Sequence, residues 1–259
     1  MDILEALILA LIQGITEFLP ISSSGHLILV PAFLDWDDQG LGFDIAVHLG
    51  TLAAVVSYFR REIRAMALNL FVADSVDGRM ARMLIIASVP LGLAGIVSAD
   101  FVSTTLRTPI VIAAASAIFG VVLYVADRWR GQRSEASLGI KEAILIGVGQ
   151  ALALIPGTSR SGITMTVGLA MGLSREAAGR FAFLLAIPAI GMAASWQIVQ
   201  FAQAPETLDV PAIGLATLVS GLTAFAAIAL FLRLIGSLGL AVFAIYRILL
   251  AVVILYVSV

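Results

Sequence analysis

The sequence predicts an all-α, polytopic membrane protein. Hydrophobic residues make up 61% of its 259 residues and charged residues only 12%, about half the charged share of a typical soluble domain. Several apolar runs approach ~20 residues, which is enough to cross a bilayer as a helix. Polar clusters interrupt two apolar stretches, and polar groups at membrane depth indicate a functional site.

The composition also excludes several classes of function. The formal net charge of −2 gives no basic face for nucleic acid, and the absence of cysteine excludes disulfides, thiolate metal sites and thiol chemistry. The acidic start M-D-I-L-E lacks the basic region of a signal peptide, so we expect no cleavage.

The first half begins with two short apolar runs, residues 3–18 and 24–34, separated by a Pro/Ser/Gly elbow that breaks the helix. Neither run crosses a bilayer comfortably, so we predict a re-entrant hairpin that returns to the same side. Three full spans follow in the prediction, at 43–59, 83–99 and 109–126, with a basic loop between the first two.

The second half repeats this order. Short runs at 140–155 and 163–173 flank the elbow P-G-T-S-R-S-G and predict a second re-entrant hairpin. Three more spans are predicted at 177–198, 210–232 and 238–257, which makes six full transmembrane helices.

The two halves form a predicted inverted repeat, 1–128 and 139–259, within a single membrane domain, 1–259. Segments 13–25 and 150–162 have equal length, begin with Gln and end with Ser-Gly. Three spans per half is an odd number, so the second half enters from the opposite side. This plan places a binding site at the midplane, where the broken elements meet.

Basic residues support this orientation, because twelve of the fifteen fall on one side of the predicted topology. These twelve are Arg60, Arg61, Arg64, Arg79, Arg82, Arg128, Arg130, Arg133, Lys141, Arg175, Arg180 and Arg233. The positive side is cytoplasmic, so both termini and the mouth of the first hairpin are predicted to face the periplasm.

The elbows carry the candidate chemistry. Gln13 and Glu17 share one helix face, and the hydroxyls of Ser22–Ser24 and Thr158–Ser161 are suited to cap the two following half-helices. Two helix N-termini, hydroxyls and Arg160 then converge on an anion site, for which phosphate is a natural ligand. Arg160 is the candidate bidentate clamp.

A carboxylate next to phosphate needs either a proton or a divalent cation between them. Glu17, with Gln13 as a neutral oxygen, is therefore a candidate ligand for Mg²⁺ or Ca²⁺. His26 is a candidate general base or nucleophile, and Ser23, activated by His26, is the alternative nucleophile.

Each of these residues also has a purely structural interpretation. The serines could serve only as helix caps. Gln13 could form an interhelical hydrogen bond, and His26 could be a buried histidine with satisfied hydrogen bonds. Their occurrence together, and in duplicate, favours a functional site. We expect Asp44, His48 and Arg180, near span ends, to be mainly structural or to support the residues that contact the ligand, and Arg247 to pair with an acid such as Asp44.

These motifs resemble the undecaprenyl-diphosphatase family, also called the bacitracin-resistance family, over essentially the whole chain. The similar segments are Q-G-I-T-E-F-L-P-I-S-S-S-G-H at 13–26, F-D-I-A-V-H-L-G-T-L-A-A-V at 43–55, F-R-R-E-I at 59–63, P-G-T-S-R-S-G at 156–162 and F-A-I-Y-R at 243–247. The resemblance implies an enzyme of the bacterial inner membrane. It would remove the terminal phosphate of undecaprenyl diphosphate to supply the carrier for cell-wall synthesis.

The resemblance also assigns roles. The family's acidic motif falls on Gln13 and Glu17, although many members have Glu at the first position, and its hydroxyl and histidine roles fall on Ser23 and His26. Divalent-metal dependence, an outward-opening pocket and a homodimer are implied. The full candidate set is Gln13, Glu17, Ser22, Ser23, Ser24, His26, Ser159, Arg160, Ser161 and Thr164.

The competing function is transport. Inverted repeats with broken helices are a transporter plan, and a flippase for a polyprenyl phosphate would use the same anion site. A flippase needs no nucleophile, so the roles of Ser23 and His26 separate the two functions.

Overall fold

A computed structural model describes residues 2–203 and 209–257, except for the side chains of residues 100 and 103. The described residues form eleven α-helices, as the all-α prediction requires. They are α1 Ile3–Thr16, α2 Ser23–Leu34, α3 Gly40–Tyr58, α4 Arg60–Asn69, α5 Val76–Phe101, α6 Pro109–Arg128, α7 Ile140–Ala151, α8 Arg160–Ala170, α9 Arg175–Gln203, α10 Val210–Leu238 and α11 Ala241–Val257.

Five of the described helices, α3, α5, α6, α9 and α10, are long and apolar enough to cross a membrane. The sixth predicted span, 238–257, is shorter than expected, because α10 continues to Leu238 and α11 begins only at Ala241. Gly239 ends α10 with a positive φ of 71°, and the turn uses the first residues of the predicted run. The terminal residues Met1, Ser258 and Val259 lie outside the described part of the chain.

The predicted basic loop after α3 is wrong for its first ten residues, which form α4. Arg60, Arg61 and Arg64 are exposed, while Met66 is buried in the main core and Ile63 packs against it. The spacing of these residues gives α4 an apolar face. Because the segment begins with several arginines, its sequence was interpreted as a basic loop and not as a helix.

Helices in the two halves pack in matching pairs. Helix α1 of the first half packs on α10 of the second, and α7 of the second half packs on α5 of the first; likewise α3 packs on α10, and α9 on α5. Helices α3 and α9 pack on each other, as do α6 and α11. Exchanging α1 with α7, α3 with α9, α5 with α10 and α6 with α11 leaves these pairings unchanged.

Close backbone contacts hold the crossings with α10. A Cβ atom on Gly14 of α1 would lie 2.6 Å from the carbonyl oxygen of Ser220, and one on Gly50 of α3 would lie 2.3 Å from that of Thr217. Both glycines therefore let the helices approach to backbone contact, which fixes the first elbow against the rest of the molecule.

Candidate active site

The two elbows have the same local backbone. Ser22 has φ 71° and Ser159 has φ 67°, a left-handed conformation that non-glycine residues rarely adopt and that is concentrated at functional sites. Each hydroxyl lies 3.3 Å from the hydroxyl two residues on, Ser24 Oγ and Ser161 Oγ respectively. Segments 13–25 and 150–162, which are similar in sequence, therefore also share this backbone conformation.

Capping differs between the elbows. Ser159 Oγ accepts a hydrogen bond from the Gly162 N–H at 3.2 Å and caps α8, as predicted. Ser22 occupies the N-cap of α2, but its side chain makes no capping hydrogen bond. The capping prediction is therefore wrong for the Ser22 hydroxyl, which is directed at Ser24 instead.

Glu17 is the point at which the two elbows meet. Its Oε1 accepts a hydrogen bond from Arg160 at 2.8 Å, in an ion pair between side chains that are 7% and 13% exposed. Its Oε2 accepts hydrogen bonds from Ser23 Oγ at 2.7 Å and from Gln13 Nε2 at 3.0 Å. Ser161 Oγ adds a second link by donating to the Leu19 carbonyl at 2.9 Å.

His26 does not contact Ser23 in the way the sequence suggested. Its Nδ1 lies 2.7 Å from the Ser22 carbonyl, and its Nε2 lies 2.5 Å from the Tyr246 hydroxyl. The predicted activation of Ser23 by His26 is therefore replaced by a hydrogen bond from Ser23 to Glu17. The reason is directional, since His26 is turned toward α11 while Ser23 is turned toward α1.

His48 lines the pocket and lies closer to Glu17 than the structural or supporting role expected from the sequence implied. Its Nδ1 lies 2.7 Å from the Asp44 carbonyl within α3, and its Nε2 lies 3.8 Å from Glu17 Oε2. The available signal was an imidazole within an apolar helix, in the segment F-D-I-A-V-H-L-G. Arg180, in contrast, is structural as expected, because it pairs with Glu135 at 2.8 Å, away from Glu17.

Arg247 is fully buried and supports the second elbow. Its NH2 donates to the carbonyls of Gly157 at 2.9 Å and Thr158 at 2.7 Å. The predicted pairing with Asp44 is wrong, because Arg247 donates to backbone carbonyls and Asp44 accepts from Gln39 near the start of α3. Charge-assisted hydrogen bonds to two successive carbonyls orient the loop that presents Ser159 and Arg160.

A pocket of about 220 Å³ opens between the elbows. Its polar lining residues are Glu17, Ser22, Ser23, Ser24, His48, Ser159 and Arg160, and its apolar lining residues are Leu91, Ala153, Leu154, Ala189, Ile190 and Ala193. Most of the predicted site residues thus meet at one cavity that has both polar and apolar lining.

Four predicted residues do not line this pocket: Gln13, His26, Ser161 and Thr164. The Thr164 hydroxyl donates back to the Arg160 carbonyl at 2.8 Å, a common arrangement for threonine within a helix. In the structure, Thr164 therefore contacts the helix backbone and not the cavity.

The donor set fits a divalent cation that is shared with a bound phosphate. Gln13 is fully buried, and its Oε1 has no hydrogen-bond partner among the described residues. The Nε2 of the same amide donates to Glu17. The described residues contain no cluster of three or more carboxylate and imidazole groups suited to a metal. Mg²⁺ commonly uses one or two carboxylates together with substrate phosphates, which suits this sparse set.

Fold and site together define a helical membrane protein with a polar pocket between two broken helices. The family model described as bacitracin resistance protein BacA matches residues 6–253. The chain belongs to the BacA family.

Relatives named undecaprenyl-diphosphatase match nearly the whole chain. The protein of Colwellia psychrerythraea is 48% identical, with 99% of each chain covered. That of Nitrosococcus oceani is also 48% identical, with 99% of each chain covered. An undecaprenyl-diphosphatase 2 of Stutzerimonas stutzeri is 47% identical over 98% of each chain.

Proposed function

We propose that this protein hydrolyses undecaprenyl diphosphate to undecaprenyl phosphate and inorganic phosphate, and so recycles the lipid carrier of cell-wall synthesis. The observation that carries the proposal is the contact of Arg160 and Ser23 with the two oxygens of Glu17 in a pocket with both polar and apolar lining. The names of the full-length relatives support the same reaction.

The polar lining of the pocket binds the diphosphate. Arg160 is at present held by Glu17 at 2.8 Å, and an incoming phosphate competes for its guanidinium with two or three oxygens of its own. The backbone N–H groups at the start of α8 add further donors, because helix N-termini favour anions. Substrate binding thereby releases one oxygen of Glu17 for the reaction.

The apolar lining accommodates the first isoprene units. Leu91 on α5 and Ala189, Ile190 and Ala193 on α9 line the pocket together with the serines. An apolar chain gains roughly 25 cal/mol for each Å² removed from water, whereas a soluble pyrophosphate gains nothing there. The pocket therefore selects a diphosphate attached to a lipid.

Ser23 is the proposed nucleophile. Its Oγ, which donates to Glu17 at 2.7 Å, attacks the terminal phosphorus, its proton passes to the Glu17 oxygen that Arg160 has released, and the bridging P–O bond breaks to release undecaprenyl phosphate. Water then cleaves the phosphoserine, which gives inorganic phosphate and returns the Ser23 hydroxyl. His26, the alternative nucleophile, would first have to leave both Ser22 and Tyr246.

A divalent cation, Mg²⁺ or Ca²⁺, completes the proposed site, held by Glu17 and by the Oε1 of Gln13. When bound, it neutralises charge on the phosphoryl oxygens. The chain's own contribution is positioning, because phosphoryl transfer depends mainly on geometry and charge stabilisation.

We place this site at mid-membrane in the bacterial inner membrane, open to the periplasm, in an inverted repeat of 1–128 and 139–259. The four helices that flank the elbows have 14, 12, 12 and 11 residues. At 1.5 Å per residue each covers ~16–21 Å, less than the ~30 Å hydrocarbon core, which supports two re-entrant hairpins. The matching helix pairs support the repeat, with α11 as the sixth span. A homodimer is part of the proposal.

The decisive test is phosphate release from undecaprenyl diphosphate by purified protein in detergent. Arg160→Lys should lower turnover about 100-fold or more, because an ammonium group cannot reproduce the two-pronged donor geometry.

Arg180→Lys is the matched control, since Arg180 also forms an ion pair but lies away from the pocket. Near-normal turnover of Arg160→Lys, or equal losses in both variants, would contradict the proposed clamp.

A further inference from the structure

We propose that His48 is a third protein ligand of the divalent cation, beside Glu17 and Gln13. This inference rests on the proposed phosphatase function, which requires a cation at Glu17. The proposed role of His48 follows from its position on α3, where its side chain lines the pocket beside Glu17.

The hydrogen bonding of His48 leaves one nitrogen available. Nδ1 lies 2.7 Å from the Asp44 carbonyl, which accepts hydrogen bonds only, so Nδ1 carries the proton of the neutral ring. Nε2 then presents a lone pair. Metal-binding imidazoles commonly have this second-nitrogen contact with a backbone carbonyl, which fixes the tautomer and the ring orientation.

The available nitrogen is directed at the carboxylate. Nε2 lies 3.8 Å from Glu17 Oε2, and no residue in the described part of the chain hydrogen-bonds to it. Two ligands that each lie ~2.1 Å from one cation are about 3.0 Å apart at 90° and about 4.2 Å apart at 180°. The observed separation falls within that interval, and the His48 side chain lines the pocket.

The other histidine does not share these properties. Both ring nitrogens of His26 are engaged, by the Ser22 carbonyl and by the Tyr246 hydroxyl, and His26 does not line the pocket. Only His48 is therefore placed to give the cation a nitrogen ligand.

A nitrogen ligand changes which cation the site prefers. Ca²⁺ takes oxygen ligands almost exclusively, whereas imidazole suits later divalent metals and affinity rises along the series that begins with Mn²⁺. We expect the site to bind Mn²⁺ and Co²⁺ more tightly than Ca²⁺, with His48 responsible for the difference.

The test uses Mn²⁺ as a paramagnetic probe of the full chain in detergent, with inorganic phosphate present and no histidine tag. The chain has two histidines, so a pulsed paramagnetic resonance signal from a coordinated imidazole nitrogen is assigned with two variants. Wild type and His26→Gln should show the nitrogen coupling, and His48→Gln should lose it. The Mn²⁺ dissociation constant of His48→Gln should rise about 10-fold or more, while that for Ca²⁺ changes less than ~3-fold.

Wild-type protein that binds Mn²⁺ without nitrogen coupling would overturn the inference, as would coupling that persists in His48→Gln or a folded wild type that binds no Mn²⁺. Phosphate release by the same wild-type preparation separates the two proposals. Phosphate release without nitrogen coupling would overturn only the proposal that His48 is a metal ligand. Nitrogen coupling without phosphate release would overturn only the proposed phosphatase function.

Discussion

Glu17 accepts hydrogen bonds from three donors that come from different parts of the chain. Gln13 is on the same helix, Ser23 begins the next one, and Arg160 lies 143 residues away. A carboxylate at membrane depth is stable only when its oxygens are paired. These contacts explain how Glu17 remains buried, and the proposed binding of the diphosphate would rearrange them.

Ser23→Ala tests whether this cluster performs chemistry or only binds. We expect phosphate release to fall about 1,000-fold or more, because loss of a nucleophile removes a transition-state contribution that no neighbour replaces. The measurement is a single-turnover assay with retained lipid binding checked in parallel.

Ser24→Ala is the control for this experiment, since Ser24 lines the same pocket but contacts Ser22 and not Glu17. A Ser23→Ala protein that releases phosphate normally would exclude the covalent route. A folded wild type that binds the lipid and releases no phosphate would favour the transport function.

At the scale of the elements, each elbow is a short helix, a strained serine turn and a second short helix. Ser22 and Ser159 share the positive φ that such a turn requires. The turns are held from outside, by Arg247 for the second elbow and by the crossings of α1 and α3 with α10 for the first.

Gly50→Ala should therefore destabilise the protein. The added Cβ would lie 2.3 Å from the Thr217 carbonyl oxygen, and such overpacking of backbone against backbone costs about 1–3 kcal/mol. We expect a lower Tm in detergent together with reduced activity.

Gly214→Ala provides the comparison, because Gly214 lies on α10 and its Cβ would meet nothing within 4 Å. Removing an exposed helical glycine should leave the free energy of unfolding unchanged or raise it by up to ~1 kcal/mol, so the Tm should not fall. Equal Tm values for Gly50→Ala and wild type would contradict the close helix crossing.

At the scale of the whole molecule, the matching helix pairs relate the two halves through an exchange that keeps α3 against α9 and α6 against α11. In the proposed inverted repeat, the two broken elements lie at one depth. That proposed arrangement would account for the pocket between the elbows.

Orientation in the membrane is testable by cysteine labelling, because the chain has no native cysteine. Asp38 and Ser134 are both exposed, on opposite sides of the proposed topology. Asp38→Cys should react with an impermeant maleimide in intact cells, whereas Ser134→Cys should react only after permeabilisation. The reverse pattern would invert the proposed orientation, and labelling of both sites in intact cells would contradict the topology itself.

Several features were predictable from local sequence. The apolar runs predicted the long helices, and the Pro/Ser/Gly breaks predicted both elbows, because helix formation and interruption depend on neighbouring residues. Glu17 and Arg160 stood out as charges in apolar surroundings. The short helix α4 was missed, because its buried side is small and its arginines dominate the pattern.

What the sequence by itself determined was the all-helical class, the positions of the elbows and most of the polar residues in the pocket. The tertiary structure decided that Ser23 contacts Glu17 and not His26, that His48 reaches the site from α3, and that Arg247 holds the second elbow. Periodicity gives the face on which a side chain lies. Its partner across 100 or more residues depends on how the helices pack and on the direction in which each side chain leaves its helix.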